Sequence, residues 1–247
     1  MHARSLTWSW LLALGLLGAQ DAALALAKPQ AAAGPRHATF GRERPSRDVR
    51  RIADWVVDSR DNKGLSFVIL DKPRARVYAF DATGRLRGAA PALLGLARGD
   101  DSVPGIGERK ISEIRPEERT TPAGRFVAEP GRNANGEDII WVDYDAAVSM
   151  HRVRTSNPAE HRLQRLATPS IADNRISYGC INLPVAFYEK VVSPAFKGGK
   201  GIVYVVPDVK PLRQVFSGLY DVGAAPTRRV AAAGVSHAQA LRAPANR

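Results

Sequence analysis

Cys180 is the only cysteine in the 247-residue chain, and it stands in the segment Arg175-Ile176-Ser177-Tyr178-Gly179-Cys180-Ile181-Asn182-Leu183-Pro184. The thiol follows a glycine in a turn and precedes a short helix expected from Pro184. Such a setting suits a nucleophile: Gly179 lets the backbone come close to a substrate carbonyl, neighbouring N–H groups can stabilise an oxyanion, and a nearby helix N-terminus favours a thiolate. A free thiol with a pKa of about 8.5 is only slightly ionised at neutral pH, so a nucleophilic cysteine needs a base, most often an imidazole. The competing reading of a lone cysteine is a small, inert, buried apolar residue.

Five histidines are available. His2 lies in the N-terminal apolar segment, His37 in a linker-like stretch and His237 in the basic C-terminal region. His151 ends the apolar run Ala147-Val148-Ser149-Met150, where a strand terminus can aim a side chain into a cleft. His161 stands among Glu160, Arg162 and Arg165, a pattern that reads as a solvated loop or helix face. On the residues alone, His151 is the stronger candidate base and His161 the runner-up.

The elements that must hold these residues are mostly strands. Val49, Ile52, Ala53, Val56 and Val57 recur at helical spacing, with Ser46 as the expected cap and Gly64 as the expected stop, which predicts a helix over 46–64. Trp55 falls on its apolar side and is expected in the core. Ser66 to Leu70 and Val77 to Phe80, each followed by turn residues, predict a hairpin. Ala90 to Leu96, Arg125 to Ala128, Ile139 to Val142, Ala147 to His151 and Gly201 to Val206 are further short apolar runs. Only Pro184 to Val192 reads as a second short helix. The expectation is a mainly β domain over 65–207, flanked by a flexible linker over 28–45 and a basic, loosely ordered tail over 208–247.

Composition narrows the function. Hydrophobic residues make up 45% of the chain, enough for one substantial core and too many for a disordered chain. One cysteine excludes an internal disulfide and any multi-cysteine metal centre. Asp100-Asp101 lacks a third ligand at metal spacing and reads as turn residues; no metal or cofactor is implied. Lys and Arg number 36 against 24 Asp and Glu, a formal charge of +12, so anionic partners are expected. The basic tail lacks interleaved aromatics, which argues against nucleic acid and for wall polymers or membrane surfaces.

Arg4, the apolar stretch Leu11 to Ala19 and the triplet Ala25-Leu26-Ala27 read as a signal peptide over 1–27, too short to span a bilayer and so leaving no stable membrane insertion after cleavage. Export would put Cys180 in oxidising surroundings, where an unused exposed thiol is a liability.

Ser177-Tyr178-Gly179-Cys180-Ile181-Asn182 resembles the Ser-X-Gly-Cys nucleophile segment of the L,D-transpeptidases with a YkuD-type catalytic domain. Thr121-Pro122-Ala123-Gly124-Arg125-Phe126 looks like that family's Thr-Pro-X-Gly-X-aromatic element, and Val148 to His151 resembles the strand ending in its catalytic histidine. These landmarks occur in the family's order, over roughly Leu65 to Pro207. The sequence departs from the pattern in two places. Tyr178 stands where many members carry histidine, and the spacing to Ser177 favours His161 over His151, unless residues 154–175 are an insertion.

The resemblance implies two packed β-sheets with one or two short helices, and action on peptidoglycan stem peptides in the periplasm or cell wall. Cys180 would form a thioester with diaminopimelate, releasing D-alanine, before transfer to an amine; with water as acceptor the same residues would act as a carboxypeptidase or endopeptidase. It further implies that backbone N–H groups near Tyr178, Gly179 and Cys180 hold the oxyanion, with Ser177 and Asn182 lining the site. Arg152, Arg154, Arg162, Arg165 and Arg175 are candidates to meet substrate carboxylates. A non-catalytic peptidoglycan-binding protein is the alternative from another class.

Overall fold

The computed structural model describes residues 34–224. The expected leader over 1–27, the start of the linker and the tail beyond residue 224 lie outside the described residues. Ten strands form the core of the architecture: β1 (Phe67–Asp71), β2 (Arg76–Phe80), β3 (Leu86–Pro91), β4 (Leu94–Gly95), β5 (Gly124–Arg132), β6 (Asp138–Asp143), β7 (Val148–Arg152), β8 (Arg175–Ser177), β9 (Ile181–Leu183) and β10 (Gly201–Val206). Eight of them run in the order β3-β2-β1-β10-β5-β6-β7-β9, and β4 pairs with β8. The ladder is mixed: β1 and β10 run parallel, as do β7 and β9, and the other neighbours in it are antiparallel.

Two sheet halves result from one long strand. The first part of β5, Gly124 to Ala128, pairs with β10, whereas Glu129 to Arg132 pairs with β6. The ladder therefore turns over at β5, and its halves face each other. Val68, Leu70, Val77, Val203 and Val205 from one half pack in a single cluster with Ile140, Val142, Met150, Ile181 and Leu183 from the other. The mainly β fold of packed sheets expected from the sequence is the fold observed.

The continuous apolar run of β1 has a direct cause. Side chains alternate across a strand, so Val68 and Leu70 enter the core between the halves while Phe67 and Ile69 enter a second core on the outer face. That outer core is closed by helix α1 (Arg47–Ser59), through Val49, Ile52, Ala53, Trp55 and Val56. Trp55 is buried, as expected of its position on the apolar face.

The Ser46 hydroxyl caps α1 by accepting from the Val49 amide at 3.2 Å. The helix ends earlier than the sequence suggests, at Arg60, whose φ of 59° is left-handed. Gly64 lies beyond a further turn in which the Lys63 amide donates to the Arg60 carbonyl.

Two other stretches are more ordered than composition suggests. Residues 208–224, expected as the start of a loose tail, carry the helix Leu212–Val215 and bury Phe216 and Leu219 against α1 and β10. Phe40, from the linker-like stretch, packs edge-on against Phe80 with ring centroids 5.3 Å apart. In both cases a few well-spaced apolar residues outweigh a polar, Ala- and Arg-rich context, because burial scales with the area those residues remove from water.

The 154–175 stretch folds as helix α2 (Arg162–Ala167) between short 3-10 turns. Leu166 anchors it in a small cluster with Leu93 and Val153. The helical region expected at 184–192 is built from Val185–Phe187, a π-turn over Tyr188–Val192 and Ser193–Ala195. Its Tyr188, Val192 and Phe196 cover one end of the inner core.

Candidate active site

Strands β7 and β9 bring the cysteine segment to the histidine strand. Their parallel register pairs Met150 with Ile181 and His151 with Asn182, so Cys180, one residue before β9, stands level with Ser149. Ser149 and His151 are two residues apart on β7 and point to the same side of the strand.

The sulfur has three neighbours. Ser149 Oγ lies 3.6 Å from Cys180 Sγ, and the Ala147 carbonyl is also 3.6 Å away. Ala147 itself is held at a left-handed φ of 52° by the turn whose amide returns to the Tyr144 carbonyl. The third neighbour is His151. Burial pushes the Cys180 thiol up, but the His151 imidazole and the Ser149 contacts outweigh it and hold the thiol below its ordinary value.

The imidazole is oriented by its own chain. His151 Nδ1 lies 2.7 Å from the Arg152 carbonyl. A carbonyl oxygen only accepts, so Nδ1 carries the hydrogen, and Nε2 is the nitrogen left to exchange a proton with the thiol.

Gly179 is needed for two reasons at once. Its φ of +129° lies in a region that side-chain-bearing residues rarely adopt, and a Cβ there would come within 2.8 Å of the Thr120 carbonyl oxygen. The Ser177 hydroxyl ties the turn by donating to the Cys180 carbonyl at 2.6 Å and accepting from the Gly179 amide at 3.1 Å. Asn182 Nδ2 donates to the same Cys180 carbonyl at 3.2 Å, while its Oδ1 accepts from Arg162 at 2.7 Å. Ser177 and Asn182, both buried, thus brace the turn from within.

This geometry changes one expectation. The Gly179 N–H is engaged by Ser177 Oγ, so it is not free for an oxyanion. The Tyr178 and Cys180 amides have no acceptor among the described residues. Tyr178 is 38% exposed, and its ring lies 4.0 Å below the Arg119 guanidinium.

His161 is exposed and caps the junction between a 3-10 turn and α2 at a left-handed φ of 50°. It is not among the groups that act on the Cys180 thiol. The five arginines expected to meet substrate carboxylates are engaged inside the protein. Arg152 pairs with Asp138 and Glu189, Arg154 with Glu137, and Arg162 with Glu160. Arg175 pairs with Asp208, and Arg165 donates to the Glu160 and Asp173 carbonyls. The acidic partners of Arg152, Arg154 and Arg175 lie in distant segments, whereas Glu160 is only two residues from Arg162.

A cavity of about 350 Å³ opens on the far part of the histidine strand, lined by Glu137, Asp138, His151, Arg152, Arg154 and Val185 among others. Among the described residues, no group of three or more His, Cys, Asp or Glu side chains is arranged to hold a metal ion.

The roles of three residues around this site were not read from the sequence. Ser149 carries a weak signal, two positions before His151 on the same face of a strand. Thr121 was noticed only as part of a motif. Lys72 lies in a turn-like Asp-Lys-Pro-Arg stretch and gave no sign that it would be fully buried.

No family model matches the chain, and no curated protein matches it in sequence. Among solved structures it is similar to a cysteine-to-serine mutant of Enterococcus faecium L,D-transpeptidase, with 16% identity and a TM-score of 0.33. The likeness covers 57% of this chain and 49% of that one, so the chain spans about half the length of that structure. Among the described residues, no helix is long and apolar enough to cross a membrane.

Proposed function

We propose that the protein is an exported cysteine acyltransferase of the L,D-transpeptidase kind, acting on peptidoglycan stem peptides with Cys180 as nucleophile and His151 as general base. The observation that carries this reading is the seating of the thiol. A sulfur held below its ordinary pKa by an imidazole whose far nitrogen is locked to a carbonyl is the arrangement a nucleophilic cysteine requires. The choice of peptidoglycan rests on the sequence motifs around Thr121 and Cys180.

In the proposed reaction, the Cys180 thiol passes its proton to His151 Nε2, and the thiolate attacks the diaminopimelate carbonyl that precedes the terminal D-alanine. The unengaged Tyr178 and Cys180 amides are the available donors for the oxyanion. As the tetrahedral intermediate collapses, the C–N bond breaks and His151 returns the proton to the departing D-alanine amine. An acceptor amine then attacks the thioester and gives its proton to His151, and Cys180 leaves as thiolate. With water in place of the amine, the same steps release a free tripeptide.

Incubating the protein with diaminopimelate-containing tetrapeptide muropeptides, followed by mass spectrometry of protein and products, tests the reading. The expected results are an acyl adduct on Cys180 and products in which diaminopimelate is joined to a second stem peptide. Cys180→Ala abolishes both, His151→Ala suppresses the adduct, and His161→Ala leaves it. Free tripeptide alone would make the protein a carboxypeptidase. A folded, reduced protein that forms neither adduct nor product would instead fit a wall-binding protein with an inert thiol.

A further inference from the structure

The Thr121 side chain lies between two backbone segments that approach it unusually closely. Its hydroxyl accepts from the Gly95 amide at 2.9 Å and donates to the Gly179 carbonyl at 2.8 Å. Glycine is required on both sides. A Cβ on Gly95 would meet the Arg119 carbonyl at 2.4 Å and the Thr121 nitrogen at 2.7 Å, and one on Gly179 would meet the Thr120 carbonyl at 2.8 Å. The 119–121 segment is therefore wedged between β4 and the nucleophile turn, and Thr121 is 1% exposed.

A buried ammonium anchors the wedge. Lys72 Nζ donates to the Thr121 carbonyl at 2.8 Å, to the Gly99 carbonyl at 2.5 Å and to Asp100 Oδ1 at 2.8 Å. Asp208 lies 3.5 Å from the same nitrogen and takes Arg175 on its other oxygen at 2.7 Å. Arg175 in turn opens β8, the strand that leads into Ser177 and Cys180. A single charge cluster thus grips the nucleophile segment at its start and, through Thr121, at its turn.

The consequence follows from peptide geometry. The Gly179–Cys180 peptide is trans, since the chain has no cis bond among the described residues. In a planar trans peptide the C=O and the following N–H point in opposite directions. Holding the Gly179 carbonyl toward Thr121 therefore holds the Cys180 N–H away from it, where it has no protein acceptor.

We propose that Thr121, seated on the buried Lys72 cluster, is a positioning residue that locks the Gly179–Cys180 peptide so that the Cys180 amide serves as an oxyanion donor. This inference rests on the reading of Cys180 as an acyl-accepting nucleophile. It separates two properties of the thiol: His151 and Ser149 set its ionisation, and Thr121 sets the stabilisation of the acyl oxyanion.

Two reagents read the two properties apart. Iodoacetamide alkylates the thiolate by displacing iodide from a saturated carbon, with no oxyanion. A p-nitrophenyl ester of N-acetyl-alanine acylates it through a tetrahedral oxyanion and releases p-nitrophenolate, which is followed by its colour. In Thr121→Val the acylation rate is expected to fall by about tenfold to a hundredfold, the order of losing one oxyanion donor. The alkylation rate and its pH midpoint are expected to stay as in the parent protein, and Thr121→Ser, which keeps a hydroxyl, recovers most of the acylation rate. If thermal melting shows Thr121→Val unfolded, Thr121→Ala, which leaves room for a water at the Gly95 amide, is read in the same way.

Equal acylation in the valine variant and the parent overturns the proposal while leaving Cys180 a nucleophile. So does an equal loss of both rates, which marks a structural role only. A parent protein that alkylates normally but is not acylated by the ester overturns both the proposal and the acyl-transfer reading.

Discussion

His151 and Cys180 meet across parallel strands without pairing directly, offset from each other by two residues. His151 pairs with Asn182 while Cys180 stands level with Ser149, so the sulfur has a hydroxyl beside it and an imidazole one pleat further on. A direct pairing would have put the imidazole in the position Ser149 holds. The offset instead gives the thiol two polar neighbours on one face of β7, and a free carbonyl at Ala147 completes the seat.

Ionisation of the thiol depends mainly on the imidazole, because burial alone works against it. In the parent protein the pH midpoint for alkylation of Cys180 is expected below that of an ordinary thiol, about 8.5. His151→Ala removes the imidazole's favourable influence and leaves the burial, so the midpoint rises above that value. His161→Ala leaves it unchanged. Iodoacetamide rates measured from pH 5 to pH 10, about the range over which thiols titrate, check the order. A midpoint unmoved by His151→Ala would remove it as the base.

Gly179→Ala should be severe. The substitution asks a side-chain-bearing residue to adopt a φ of +129° with a Cβ 2.8 Å from the Thr120 carbonyl. The expected loss is above about 2 kcal/mol of stability, together with loss of acyl transfer. Chemical denaturation and the ester assay read the two effects. A variant as stable and as active as the parent would show that the turn relaxes.

Asp100 gives a pH dependence with a definite sign. Burial would raise its carboxyl, but the Lys72 ammonium and the amides of Lys210, Asp208 and Val209 hold it at about 2, against an ordinary 3.8. A carboxylate with a depressed folded pKa stabilises the protein above its unfolded value, and that stabilisation is lost as pH falls from about 4 to about 2, amounting to about 2–3 kcal/mol. Asp100→Asn is expected to be less stable at pH 7 and to lose this segment of the acid titration. The difference between the two stability curves measures it; parallel curves through that range would contradict the assignment.

Lys72→Met removes the only buried ammonium in the cluster and leaves Asp100 and Asp208 facing each other. Breaking a buried pair by deleting one partner costs about 3–5 kcal/mol. Circular dichroism melts at neutral pH would show it, and a loss below about 1 kcal/mol would mean that water replaces the ammonium.

The segment after β10 belongs to the folded domain through Phe216, which is 4% exposed and lies near Tyr204 with ring centroids 6.3 Å apart. Phe216→Ala is expected to cost about 3 kcal/mol through lost burial and the cavity left behind. Removing residues 208–247 should be worse, since it also takes Asp208 from the buried cluster. Denaturant midpoints of both variants test this, and a truncated chain as stable as the parent would return the segment to the status of a tail.

Much of the fold was legible because its signals are local. The β1 run Phe67 to Leu70, the Ser46 cap and the apolar spacing of α1 each follow from side-chain periodicity within a few residues. Cys180 and Gly179 stood out for the same reason, since a lone thiol after a glycine is visible without any long-range contact. The end of α1 was misplaced because Arg60, with no sequence mark, takes up the left-handed stop that Gly64 would normally be expected to supply.

The sequence by itself determined which residue types were at hand: one thiol, a histidine at a strand end, a hydroxyl in Thr121 and a surplus of positive charge. Only the tertiary structure decided their pairings. The two-residue offset of His151 from Cys180 across β7 and β9, the engagement of Arg152, Arg154 and Arg175 by acids in distant segments, and the burial of Lys72 against the Thr121 carbonyl all join residues far apart in the chain. Such pairings are set by how the sheet turns over at β5 and which charges it encloses, and no local periodicity encodes either.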